Sequence, residues 1–420
     1  MLLVAAALLS PAWANGLTSH VTVSEYALDH VPDGELEALV GDPELWLQLQ
    51  NGTQFPDGGY PLGEAYAETA HWEPFQDRYL EWIRSTYAED YSSEEARQHV
   101  AFLMGLASHG MGDQVFDSLY MQRAYVYDAG SDWENTSMDT ATDVALAAQT
   151  GGQDTVDAWG DWDTLVALMA DAGVEVDADT LQQGQALAQI AISFGRSAGA
   201  DPGQQAIYEA QYPWAYAHIL DDEVHGSPPW EARAVAMYWQ VRWARLFGEV
   251  ADIEPLIYTF PPTGSYEHPT GAESVESRLT LVMSRGVMGD LLVADMFEVV
   301  DAGGNTYAVS PWLFYGTGSH AIHLVPSADW PEDTDFTVTV KAGVPFIDGT
   351  YAERDASFTF STAPWPEMEP PIGNACSCQS GSGGAWLGLA GLLALRRRRG
   401  TAPAPPRACP RWRREADGRR

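Results

Sequence analysis

At 420 residues, with 45% hydrophobic residues and 16 Trp, the chain is long enough for two domains with separate cores and too apolar to be disordered. Its formal net charge is −37, and ten of the 22 Lys and Arg lie in residues 396–420 opposite only Glu415 and Asp417, so the rest is more acidic still. Such a field repels nucleic acid and anionic membrane surfaces, attracts divalent cations and keeps an exported protein soluble. Cysteine occurs only at 376, 378 and 409, which excludes a disulfide scaffold for the body.

Residues 2–9 are an apolar run, Pro11 breaks it, and Ala12-Trp13-Ala14 offers the small residues a signal peptidase reads. The expectation is a signal peptide over 1–14 and a mature chain starting at Asn15. From 15 to 250 the apolar residues recur at helical spacing, as in 181–194 and 230–247, with polar breaks between, and this half reads as all-α.

After Pro261-Pro262 the period changes. Leu279/Leu281/Met283, Phe336/Val338/Val340 and Phe358/Phe360 alternate with polar residues, and the run from Asp301 to Asn305 reads as a turn, so 256–365 is expected to form a small β-sandwich. Its Pro-Pro-x-Gly start and closing SFTFST resemble the bacterial Ig-like domains of surface proteins. His268, His320 and His323 in this stretch have no acidic or Cys cluster beside them and read as ordinary surface or strand residues. Residues 366–383, rich in Pro, Gly and Ser, suit a linker carrying a Cys pair. Residues 384–399 join an apolar segment, too short for a relaxed membrane span, to four Arg. Together they resemble a myxobacterial C-terminal sorting signal. That resemblance implies processing and anchoring at Cys376 or Cys378 by a sorting machinery; residues 400–420 read as a disordered tail.

The chemistry-bearing residues cluster in the helical half. His109, Asp113 and Asp117 follow one another at helical spacing beneath an apolar stripe of Val100, Leu103, Met104 and Ala107. Carboxylates and an imidazole turned toward a core are costly unless a cation sits among them. Gly110 and Gly112 let another backbone approach this segment. Asp139 and Asp143 form a second such pair, Asp57 stands in a Gly/Pro-rich loop, and His71 opens the HWEPFQDRYLEWI helix. His and Asp suit borderline metals such as zinc, and this set is large enough for more than one ion.

The runs NGLTSHVTVSEYAL, FPDGGYP, AHWEPFQDRYLEWIRSTY and VAFLMGLASHGMGD, in this order, resemble the zinc-dependent phospholipase C family. Within it they are most like the catalytic domain of the glycosylphosphatidylinositol-specific phospholipases D. The likeness covers about 15–145 and continues weakly to about 250. It implies that the mature N-terminus, Asn15, and His20 five residues on bind one zinc. It further implies that Asp57 is both ligand and proton acceptor, that His71 and His109 are ligands, and that Asp113 bridges two ions. The family's third ion takes imidazole ligands where this chain has Asp117 and the pair Asp139/Asp143; an all-oxygen site favours Ca²⁺, Mg²⁺ or Mn²⁺, or stands empty.

The expected protein is thus multidomain, a helical zinc phospholipase C-like domain followed by an Ig-like β-sandwich. The expected activity is that of an exported, cell-surface-held phosphodiesterase with two zinc ions, acting on phospholipid or inositol-glycan diesters, with Phe55, Tyr60, Trp72 and Phe116 as an apolar wall for the substrate. A metal-stapled surface or adhesion protein without catalysis is the rival from another class, its β-domain partner unassigned. A zinc-dependent single-strand nuclease is a further alternative, disfavoured by the acidic body.

Overall fold

The computed structural model describes residues 16–129, 137–271 and 275–362. The leader with Asn15, the linker with Cys376 and Cys378, the apolar segment and the Arg-rich tail lie outside the described residues. The longer α-helices are α1 (Leu17–Leu28), α2 (Glu35–Val40), α3 (Trp46–Gln54), α4 (Tyr66–His71), α5 (Glu73–Tyr87) and α6 (Glu94–Val115). They continue as α7 (Ser137–Thr150), α8 (Trp162–Asp171), α9 (Ala178–Gly199), α10 (Pro202–Gln211), α11 (Pro213–His218) and α12 (Pro228–Leu246).

The spine of the helical half is α6. Ser93 starts it by accepting a hydrogen bond from the Ala96 amide at 3.2 Å, and Glu94 and Glu95 place negative charge in its first turn. The expected stripe of Val100, Leu103, Met104 and Ala107 is fully buried, but so are Phe102 and Leu106 on its other faces. A helix apolar all round must be packed on every side. On one side α3 crosses at backbone contact: a Cβ on Gly52 would stand 2.2 Å from the Phe102 carbonyl oxygen, and one on Gly105 2.2 Å from that of Leu49. Against α6 also packs α12, whose buried Trp239 donates from Nε1 to the Met104 carbonyl at 2.7 Å.

The first helix has no side-chain cap of its own, because it begins after Gly16. Asp143 of α7 supplies one, accepting from the backbone amides of Thr18 at 3.2 Å and Ser19 at 3.0 Å. A carboxylate there satisfies two amides that have no partner within the helix and complements the helix dipole.

The strands are β1 (Leu256–Phe260), β2 (Ser265–His268), β3 (Leu279–Met283), β4 (Phe297–Asp301), β5 (Val309–Leu313), β6 (Ala321–Pro326), β7 (Asp335–Val340) and β8 (Ala356–Thr362). They form two four-stranded sheets, β1-β3-β6-β5 and β2-β8-β7-β4, antiparallel apart from the β2–β8 pair. The alternating residues read on β3, β7 and β8 enter one core shared by both sheets, together with Ile322 and Trp330.

One sheet face also packs on the helices. Val282 of β3 joins Ile257 and Phe260 of β1 in the core of the helical half, and Tyr258 meets Trp230 edge-on with ring centres 4.7 Å apart. Beside this contact lies buried Glu73, with Arg245 at 2.9 Å, Arg242 at 3.3 Å, His320 at 3.5 Å and the Gly286 amide at 2.5 Å. His268 and His323 are strand residues, as expected, but none of His268, His320 and His323 is a surface residue, since all three are at most 2% exposed. With both faces of β3 and β6 covered, a histidine there must bond internally: His323 pairs with Thr280 at 2.9 Å and His320 with the Met283 carbonyl at 2.9 Å. No helix among the described residues is long and apolar enough to cross a membrane.

Candidate metal centre

Four segments deliver five ionisable side chains to one buried place. They are His20 from α1, Asp57 from the short 3-10 turn Asp57–Leu62, His71 from the end of α4, and His109 with Asp113 from successive turns of α6. Each is at most 5% exposed. His71 closes α4 rather than opening the next helix; Trp72, extended at φ −100° and ψ 152°, separates it from α5. The bare face of α6 makes the convergence possible. A Cβ on Gly110 would lie 2.2 Å from the His71 carbonyl oxygen, and one on Gly112 2.4 Å from Glu231 Oε1 and 3.6 Å from His20 Nδ1.

Within the cluster, His20 Nε2 is 3.1 Å from Asp113 Oδ1 and 4.0 Å from Asp57 Oδ2. His71 Nε2 is 3.4 Å from Asp57 Oδ1 and 3.6 Å from Asp113 Oδ2, while His109 Nε2 stands 3.8 and 3.5 Å from the same two oxygens. Most of these separations are long for hydrogen bonds. They suit ligands of a shared ion, because two donors each about 2.1 Å from a tetrahedral zinc are about 3.4 Å apart. Nε2 of His71 and His109, Oδ1 of Asp57 and Asp113, and both ring nitrogens of His20 are buried without an aligned hydrogen bond. Unsatisfied buried polar atoms are rare, and five of these, all but His20 Nδ1, converge on one place, which calls for a cation.

The other ring nitrogens are already spoken for. His71 Nδ1 lies 2.6 Å from the Ala67 carbonyl and His109 Nδ1 2.7 Å from that of Thr53. A proton held on Nδ1 leaves the Nε2 lone pair facing the cluster, the tautomer that ligates metal. Two overlapping groups can each hold an ion, His20 with His109 and Asp113, and Asp57 with His71 and His109.

Electrostatics tell the same story. Burial disfavours charge on His71, but the Asp57 and Asp113 carboxylates outweigh it and push its pKa up to about 9. His20 is raised in the same way, against its burial, chiefly by Asp113. His109 is driven far below its usual range by burial and by the neighbouring His20 and His71, and burial raises Asp113. The Asp57 and Asp113 carboxylates thus favour positive charge at His71 and His20, which is the charge a cation would supply.

The third-ion grouping of Asp117, Asp139 and Asp143 is not assembled among the described side chains. Asp143 is taken up by the N-terminus of α1, where the Ser19 hydroxyl also donates to it at 2.9 Å. Asp117 accepts a short hydrogen bond from the Tyr315 hydroxyl, and burial followed by the charge of Asp113 drives its pKa well upward. The side chain of Asp139, Asn15 and the Cys pair lie outside the described set.

The expected apolar wall divides. Phe55 and Phe116 are core residues, whereas Tyr60 and Trp72 are half-buried beside His71 and both donate to Glu68, at 3.0 and 2.7 Å. No local signal in the sequence marks Tyr315, which lies 198 residues from Asp117.

No family model matches the chain. Over 123 residues it is 30% identical to the phosphatidylinositol-glycan-specific phospholipase D of Bos taurus, covering 26% of this chain and 14% of that protein. The Rattus norvegicus protein of the same name is 30% identical over 128 residues, 28% of this chain and 15% of that one. That of Dictyostelium discoideum is 32% identical over 107 residues, 25% and 11% respectively. The chain thus matches only about a seventh of the mammalian relatives' length. Among solved structures, the bacterial S-layer protein SbsC aligns over 71% of this chain and 46% of its own at 10% identity, but with a TM-score of 0.21 the likeness carries no argument.

Proposed function

We propose that the protein is a metal-dependent phosphodiesterase, exported and held at the cell surface, that hydrolyses phospholipid-type or inositol-glycan phosphodiesters. The observation that carries this reading is the inward convergence of the imidazoles of His20, His71 and His109 and the carboxylates of Asp57 and Asp113, with Nε2 of His71 and His109 freed by backbone carbonyls. The partial identity to phospholipases D that act on phosphatidylinositol-glycans supports the ester class. Zinc fits the nitrogen and oxygen donor set.

Asn15 and His20 would hold one ion and Asp57, His71 and His109 the other, with Asp113 a ligand of both, since its Oδ1 faces His20 and its Oδ2 faces His71 and His109. Two such ions, when bound, supply a nucleophilic water at neutral pH and neutralise phosphoryl charge. The unpartnered Oδ1 of Asp57 faces the cluster and accepts the proton of the attacking water. Tyr60 and Trp72, fixed by Glu68, form an amphipathic rim on which the rest of the diester lies. The near-complete burial of the five ligands keeps bulk water from competing.

We take residues 256–365 as an Ig-like β-sandwich, Asn15 as the processed terminus, and Cys376 or Cys378 as the anchoring point for sorting. The helical half, 15–250, is the catalytic domain. The test is metal analysis of the secreted protein by mass spectrometry, with assays on bis(p-nitrophenyl) phosphate, a phosphatidylinositol-glycan and single-stranded DNA. Two zinc equivalents with turnover of the first two support the reading. Zinc without turnover of any diester would favour a structural staple, to which the commitment of Asp117 and Asp143 to internal bonds also points. Turnover of DNA alone would favour a nuclease.

A further inference from the structure

Residues 314–320, the loop between β5 and β6, reach out of the β half into the neighbourhood of the metal centre. The Tyr315 hydroxyl donates to Asp117 Oδ2, and its ring packs edge-on against Trp72 with centres 5.2 Å apart. The backbone amide of His320 donates to Gln114 Oε1 at 2.5 Å, and its imidazole stands 3.5 Å from Glu73 Oε2. Trp72 and Glu73 directly follow His71; Gln114 directly follows Asp113, and Asp117 is one turn further along. One loop thus grips the residue next to a candidate ligand on each of two separate segments.

The loop is itself braced on the β half. Gly318 donates to the Val287 carbonyl at 2.9 Å, the Thr317 hydroxyl accepts from the Gly289 amide at 3.1 Å, and Ser319 bonds back to Gly316 at 3.1 Å. On the helical side, Trp72 is the extended residue that joins α4 to α5 immediately after His71. Holding Trp72 and Gln114 from one rigid loop therefore fixes the distance between His71 and Asp113, now 3.6 Å between Nε2 and Oδ2.

We propose that this loop is a positioning element of the metal centre, with Tyr315 and His320 as its positioning residues, so that seating of the loop and occupancy by metal are thermodynamically coupled. The β half is then a working part of the site and not a spacer. This rests on the reading of the cluster as a metal centre and is indifferent to which ester is cleaved. Coupling is reciprocal: if the loop tightens metal binding, metal must tighten the loop.

The test is hydrogen exchange of the full secreted chain, with zinc and after removal of zinc by a chelator, read at the peptide containing the His320 amide. Exchange there is expected to accelerate about tenfold on zinc removal, in step with the loss of affinity that disturbing an outer-shell contact brings. Zinc affinity is measured in parallel by chelator competition on Tyr315→Ala, Tyr315→Phe and, as a control on the exposed surface of the same half, Tyr351→Ala. Tyr315→Ala is expected to bind zinc about tenfold more weakly, Tyr315→Phe less so because the ring stays on Trp72, and Tyr351→Ala unchanged. Loop exchange indifferent to zinc in the wild-type chain would overturn the coupling while leaving the metal centre standing; so would acceleration spread evenly over every peptide. A wild-type chain that takes up no zinc overturns both.

Discussion

His109 is fully buried and its Nε2 faces the carboxylates of both Asp57 and Asp113, so its loss removes much of the cluster. His109→Ala is expected to lower zinc content from two equivalents to one or fewer, and to reduce kcat/KM on a chromogenic diester by more than about 100-fold, a loss of about 3 kcal/mol in the barrier. Metal analysis and steady-state kinetics on one preparation check both. The raised pKa of His71 sets a pH dependence. A protonated imidazole cannot ligate, and with a pKa of about 9 His71 carries its proton at pH 7 when no ion is bound. Zinc must displace that proton, so affinity rises with pH up to about 9, by roughly tenfold per unit for each proton displaced. Chelator competition at pH 6, 7 and 8 reads the slope; a flat profile would mean that His71 is not a ligand.

At the scale of elements, the site depends on how closely α6 approaches its neighbours. Gly110→Ala would put a methyl group 2.2 Å from the His71 carbonyl oxygen, and neither α4 nor α6 can yield cheaply. Overpacking of this kind costs about 1–3 kcal/mol, and here it also pushes His71 away from Asp57 and Asp113. The variant is expected to melt several degrees lower and to lose zinc, whereas Ala at Gly63, which has open space around it but a φ of +71°, should melt slightly lower and keep its zinc. Calorimetry and metal analysis of the two variants separate these outcomes.

The same elements show what the sequence discloses. The candidate ligands on α6 are legible because their spacing is local, and so is the alternation on β3, β7 and β8. The end of α4 at His71 is not, since Pro74 marks the start of α5 while nothing in HWEP announces that Trp72 is extended. Asp143 reads as half of a carboxylate pair on α7, yet its partners are amides 124 and 125 residues away that appear only once α1 packs there. Tyr315 and His320 belong to the same class: their meaning comes from tertiary contact between two halves of the chain, which no local period encodes.

Across the whole molecule, the joint between the helical and β halves is an ionic layer centred on Glu73. Burial works against its charge, but His320, Arg242, Arg245 and the Gly286 amide outweigh it and hold its pKa down at about 2, against an ordinary value of 4.5. A depressed carboxylate pKa means that the folded state prefers the ionised form. Its contribution to stability is therefore complete above about pH 4.5 and is lost as pH falls from there toward 2. Glu73→Gln is expected to destabilise the chain at pH 7 by about 1–3 kcal/mol, because Arg242 and Arg245 lose a buried partner and keep Asp77 and Glu254, and to flatten the acid limb of the stability curve. Denaturant titrations at pH 7, 4 and 3 on both proteins measure this.

The central claim is that side chains from four segments, far apart in sequence, form one seat for paired cations. Diffraction from crystals of the protein, with data collected on both sides of the zinc absorption edge, tests it most directly. Two anomalous peaks are expected, one beside His20 and the other among Asp57, His71 and His109, with Asp113 between them. A map with no anomalous peak inside the cluster from zinc-replete crystals, and with the imidazoles hydrogen-bonded to the carboxylates instead, would contradict it.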